Sequence, residues 1–163
     1  MSRLTPRVLT SAFFVLACWI PSAFAQTEIA SCGQVVTGPA FLSADLDCTG
    51  YDDEVVVPEL FHDDEDGSVS GAAVIVHRKG TVDLRGHTLT AGRIGIFCGK
   101  SCTVLGGGGT VTGAVVQGIA VTKNLTIKDT TVSNNGDVAL FVNRTLRASG
   151  CTLTGNRAGT WIG

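Results

Sequence analysis

The sequence predicts an all-β fold: a single-stranded right-handed parallel β-helix, a solenoid of about four to five coils of 21–22 residues. Three observations predict it. A Thr-apolar-Thr/Ser triplet occurs four times, centred on Leu89, Val111, Val132 and Leu153, at separations of 22, 21 and 21 residues. Apolar columns accompany it: Val82, Val104, Leu125 and Leu146 stand seven residues before each centre, and Ile96, Ile119, Leu140 and Trp161 seven or eight after. Between these segments Gly, Asn and Asp cluster (Gly106 to Gly109, Asn134-Asn135-Gly136, Gly155-Asn156), as turns with unusual backbone angles require.

Each element follows in chain order. Residues 1–25 read as a signal peptide. Arg3 and Arg7 form a basic start, 8–20 an apolar core, and Ala23 and Ala25 the small residues before a cleavage site, so export with cleavage after Ala25 is expected. A looser lipoprotein reading of "VLAC" would acylate Cys18; the leucine before Ala17 and the apolar stretch after Cys18 argue against it. The mature chain is then secreted or periplasmic, and nothing later is long enough to span a membrane as an apolar helix. Residues 26–48 read as an N-terminal cap with an imperfect first coil, in which Leu42 and Leu46 join Val74 and Val76. Residues 49–71 read as an acidic loop insertion and 72–163 as the β-helix repeats.

Helical repeats would space apolar residues by three and four over ten or more positions, a pattern missing here. The run Val82-Asp83-Leu84-Arg85 alternates with period two, as a half-buried strand does. A unit of 21 residues cannot bury its apolar columns alone; stacked strand on strand, it can. Hexapeptide, calcium-binding nonapeptide and leucine-rich signatures are all missing, which leaves the right-handed form. In the segment 129–136, Val132 is expected inward, Thr131 and Ser133 outward, with Asn134, Asn135 and Gly136 making the corner through stacking and turn chemistry. Accordingly Ser133→Asp should be nearly silent.

The mature chain holds ten basic and fourteen acidic residues, and ten of the acids lie between 45 and 66. With one tyrosine and scattered Lys and Arg it lacks the basic, aromatic-lined face of a nucleic-acid binder. Cys32 with Cys48 and Cys98 with Cys102 are expected as disulfides in an oxidising compartment, leaving Cys151 over and buried. "CGKSC" has no second Cys or His pair at ligand spacing, which disfavours zinc.

"CGQVVTGPAFLSADLDCTG", followed by "GTVDLRGHTLTAG", resembles the opening coils of pectate-lyase-like right-handed β-helix proteins of bacterial secretomes. The resemblance covers residues 32–163 and implies the fold; that fold carries lyases, hydrolases, epimerases and adhesins alike. It directs attention to acidic polysaccharide as the partner, with a non-catalytic surface scaffold or adhesin as the alternative. Aligned on the Thr-x-Thr centres, Arg85 and Lys128 share one outward column and Arg147 sits beside them, with His87 nearby. These four are the candidate catalytic or binding residues of a polysaccharide lyase or glycoside hydrolase. A hydrolase of the polygalacturonase type would show paired aspartates with a Gly-His-Gly segment; the segment here is "GHT" instead, and no Asn-Thr-Asp triplet occurs. No cofactor is called for beyond calcium, whose candidate ligands are Asp63, Asp64 and Asp66, although "DDEDGS" does not fit an EF-hand loop. Further coils, or a partner chain, are expected beyond Trp161-Ile162, because a solenoid end of this kind leaves strand edges unpaired.

Overall fold

A computed structural model describes residues 25–62 and 65–163. The signal peptide lies almost wholly outside the described residues, as do Asp63 and Asp64. Among the described residues there are strands and turns and no helix.

The described residues start with β1 (Thr27–Ile29) and a short first coil of β2 (Gln34–Val36), β3 (Pro39–Leu42) and β4 (Leu46–Asp47). A hairpin of β5 (Glu54–His62) and β6 (Glu65–Ser70) follows. The second coil is β7 (Ala72–Val76), β8 (Lys79–Asp83) and β9 (Thr88–Thr90); the third is β10 (Ile94–Cys98), β11 (Ser101–Leu105) and β12 (Thr110–Thr112). The fourth is β13 (Gln117–Val121), β14 (Asn124–Lys128) and β15 (Thr131–Ser133), and the fifth β16 (Val138–Val142), β17 (Thr145–Ser149) and β18 (Thr152–Thr154). Last comes β19 (Ala158–Ile162), on β16. The strands stack in parallel into three sheets: A (β1, β3, β8, β11, β14, β17), B (β2, β7, β10, β13, β16, β19) and C (β4, β9, β12, β15, β18). The protein is a parallel β-solenoid.

Sheet C holds the register read from the sequence: Leu89, Val111, Val132 and Leu153 pair in one column, flanked by Thr88, Thr110, Thr131, Thr152 and Thr90, Thr112, Ser133, Thr154. Leu89, Val111 and Val132 are fully buried and join Ile96, Ile119, Leu140 and Val104 in one interior cluster. Burying an aliphatic side chain of this size stabilises by roughly 1.5–3 kcal/mol, so the repeated inner columns hold the solenoid together.

In sheet B, Ile96, Ile119 and Leu140 share one column as the sequence alignment has them, whereas sheet A departs from it. Val82 and Val104 pair with Ile127 and Ala148, whereas Leu125 and Leu146 belong to the column of Gly80 and Cys102. The cause is the turn from sheet A to sheet C. It has four residues in the second and third coils (84–87, 106–109) and two in the next pair (129–130, 150–151). In the third coil this turn is the glycine run: Gly107 and Gly108 have φ of 55° and 88°, and a Cβ on Gly106 would collide with the Asp129 carbonyl. At the far end Leu140 pairs with Thr160, not Trp161. Trp161 falls one position later, on the outer column of sheet B, and stacks on Phe141 with ring centroids 4.4 Å apart. Val74 and Val76 lie in the second coil, not in the first coil of Leu42 and Leu46.

Ser133 is outward in register but only 7% exposed, and its Oγ stands 3.3 Å from Thr112 Oγ1. The stacked threonine ranks cover one another, so an outward position need not be a wet one. Residues 49–71 carry an antiparallel hairpin rather than an open loop. Val57 and Val69 of the hairpin bury against Ala72 and Ile75 on the outside of sheet B, with Ile94 and Phe97 alongside, as a second apolar cluster. The β-branched run Val55-Val56-Val57 supplies this strand character inside an acidic segment.

Cys32–Cys48 and Cys98–Cys102 are disulfides, and Cys151 is free and half-buried. The first bridge closes 16 residues around the opening coil. Replacing both Cys32 and Cys48 by serine should lower unfolding free energy by about 3 kcal/mol, measurable by urea denaturation.

Candidate functional site

The outer face of sheet A collects polar groups because its strands alternate. In β14 the pattern puts Leu125 and Ile127 inside and Asn124, Thr126 and Lys128 outside. Parallel pairing then aligns three outward columns. One runs Thr81, Thr103, Thr126, Arg147; another Asp83, Leu105, Lys128, Ser149. The third starts at Lys79 and Ser101 and continues through Asn124 to Thr145. Two shallow depressions lie on this face. The larger, about 400 Å³, is lined by Lys79, Thr81, Ser101, Thr103, Asn124 and Thr126 among others. The smaller, about 240 Å³, shares Asn124 and Thr126 and ends at Thr145 and Arg147. Together they form one groove across four coils. Its polar lining is hydroxyls and one amide, set among Pro39, Cys102 and Leu125, with ammonium and guanidinium groups at the ends.

The four residues singled out from the sequence do not form one stripe. Arg85 lies in the turn after β8 with φ of 50°. Its guanidinium sits 3.6 Å over the Phe41 ring, donates to Gln26 Oε1 at 2.6 Å and lies 3.9 Å from Asp83. These contacts fasten Gln26 to the first two coils, and Arg85 is not in the column of Lys128. His87 is in the same turn, with Nδ1 3.4 Å from Asp45 Oδ1, and that carboxylate also accepts the Thr88 N–H at 2.8 Å. Lys128 and Arg147 are brought together on the groove face, in neighbouring columns of adjacent coils. Both are exposed. Lys79 was missed by the sequence alignment, because its place at the strand start shows only in the pairing of β8 with β11.

The carboxylates nearest the first coil are used locally. Asp47 accepts from the Thr49 hydroxyl at 2.6 Å and from its N–H at 2.9 Å, and these bonds, the hydroxyl's first, hold its carboxyl below the usual range. Of the calcium candidates, Asp66 falls on β6 and Asp63 and Asp64 lie outside the described residues. Among the described residues no three His, Cys, Asp or Glu side chains converge as a metal site. No helix among them is long and apolar enough to cross a membrane. Comparison with known protein families, with curated proteins and with solved structures finds no match.

Proposed function

We propose that this β-solenoid binds an acidic polysaccharide along the outer face of sheet A. The observation that carries the reading is a groove lined by Lys79 and Arg147 with Thr81, Thr103, Thr126, Ser101 and Asn124, and Lys128 on the same outer face beside it. Hydroxyl and amide groups exchange hydrogen bonds with sugar hydroxyls, and the cations pair with uronate carboxylates. From the coil of Lys79 to that of Arg147 there are three strand steps, about 14 Å at ~4.8 Å each, so an extended chain meets several coils at once. The two disulfides fit an oxidising, extracytoplasmic setting, which is where such polymers are found.

The test is a titration of the mature chain with polygalacturonate and with neutral dextran, at low and high salt. Polygalacturonate should bind and weaken as salt rises, since exposed charges are screened. The triple variant Lys79→Gln, Lys128→Gln, Arg147→Gln should bind at least tenfold more weakly with an unchanged melting temperature. Equal affinity for dextran, or an unaffected triple variant, overturns the reading.

A further inference from the structure

A second cleft, about 460 Å³, opens at the corner where sheet C passes to sheet B, away from the sheet A groove. It is lined by Gly50, Tyr51, Asp52, Gly92, Arg93, Val115 and Val116. The corners of three coils build it. The segment of Tyr51 and Asp52 lies against Gly92, whose missing side chain leaves the notch, since a Cβ there would collide with the Tyr51 carbonyl. On the next coil the Val115 N–H donates to the Gly92 carbonyl (2.9 Å) and the Val116 N–H to that of Arg93 (3.0 Å), which fixes the valines as the opposite wall.

Three features of the cleft are unusual together. Val115 is 70% exposed, although it is a large apolar side chain. Asp52 and Arg93 converge: a point one Cβ bond above Gly71 lies 3.0 Å from Asp52 Oδ1 and 2.5 Å from Arg93 Cβ. Yet neither side chain has an ion pair or hydrogen bond among the described residues. The Asp52 carboxylate thus stands beside the stem of Arg93, and both charged side chains line the cleft without pairing, beside an apolar wall. A lone carboxylate ligand would satisfy Arg93 but face Asp52, and a lone ammonium ligand would face Arg93. A ligand that carries both charges and an aliphatic group satisfies every wall.

We propose that this cleft binds a free α-amino acid with an aliphatic side chain. The carboxylate pairs with Arg93, the ammonium with Asp52, and the side chain covers Val115 and Val116. Guanidinium–carboxylate pairing suits this arrangement because the planar fork donates to both oxygens. The site is open, so binding belongs in the millimolar to high micromolar range.

The test titrates the mature protein with L-leucine, N-acetyl-L-leucine and L-leucinamide, followed by calorimetry and by amide chemical shifts. L-Leucine should bind saturably with shifts centred on Gly92, Val115 and Val116, and each blocked analogue should bind about tenfold more weakly. Arg93→Gln should reduce discrimination against leucinamide, and Asp52→Asn that against N-acetyl-leucine. Both sites are exposed, and thermal melts check that each variant is folded. No saturable L-leucine binding at tens of millimolar overturns the proposal, as does equal binding of either blocked analogue. So do shifts confined to the sheet A groove.

Discussion

Val132→Asp is expected to abolish the folded state at neutral pH or bring it close to that point. Val132 is fully buried within the central cluster, in register with Val111 and Leu153 and one coil away from any end of sheet C. A carboxylate there loses its hydration and meets only apolar side chains, at a loss of more than about 4 kcal/mol, a large share of a domain's typical 5–15 kcal/mol. The sign with pH is definite. Burial raises the folded pKa of the new carboxyl above its unfolded value, so the penalty for ionisation grows as pH rises and is least below the unfolded pKa, about 3.9. The variant should therefore recover part of its melting temperature between neutral pH and pH 4, relative to the parent protein at each pH. Thr131→Asp, one residue earlier on the outer rank, should lose no more than about 1 kcal/mol. Ser133→Asp should fall between them, because Ser133 is covered by Thr112 despite facing outward. Equal losses at 131 and 132 would show that the inward column has been placed on the wrong face.

That ordering shows how far the sequence carries. Face assignments were legible from parity alone: a strand alternates, and a slip of two residues keeps every side chain on its side. This is why Leu125 and Leu146 are inward even though they stand in a different column from Val82 and Val104. Columns were legible throughout sheet C, whose Thr-x-Thr marks are spaced by 22, 21 and 21, and in sheet B for Ile96, Ile119 and Leu140. In sheet A the aligned threonines 81, 103, 126 and 147's arginine are spaced by 22, 23 and 21, because the turn before sheet C shortens while the corner after it lengthens. A nearly constant period conceals two changes that cancel. The basic stripe of Arg85, Lys128 and Arg147 was an artefact of that cancellation; only its last two members share the outer face of sheet A, and only Arg147 lines the groove. The sheet B hairpin was hidden for another reason. Its acidic surroundings outweigh Val55-Val56-Val57 in any composition reading, while the apolar surface it covers, Ile75 and Phe97, lies on the outside of a sheet where polar residues are expected. The corner cleft could not be seen at all, since Asp52, Arg93 and Val115 are far apart in sequence and meet only through stacking.

The second large effect is expected at Asn135. The corner asparagines were legible as turn and stacking residues, and the structure divides the two roles between neighbours. Asn134 takes the turn, exposed and with φ of 54°. Asn135 is 2% exposed and takes the stacking: its Oδ1 accepts the Ala114 N–H at 3.0 Å, and its Nδ2 donates to Asn156 Oδ1 at 2.8 Å. Asn156 continues the ladder by donating from Nδ2 to the Val132 carbonyl at 2.9 Å. Asn135→Ala removes both side-chain bonds and leaves the Ala114 N–H without its partner, for a loss of about 2–4 kcal/mol by urea or thermal unfolding. Asn134→Gly keeps the left-handed turn and should stay within about 0.5 kcal/mol of the parent. Asn135→Asp separates the two bonds through pH. Protonated, the new carboxyl accepts from Ala114 and donates to Asn156; ionised, it sets an oxygen against Asn156 Oδ1 in a buried corner. Its folded pKa is therefore raised, and the variant should approach parental stability in acid and lose it as pH rises through that pKa. If Asn135→Asp shows no more pH dependence than the parent, the amide ladder is not what ties the fourth coil to its neighbours, and the apolar columns alone fix the corner.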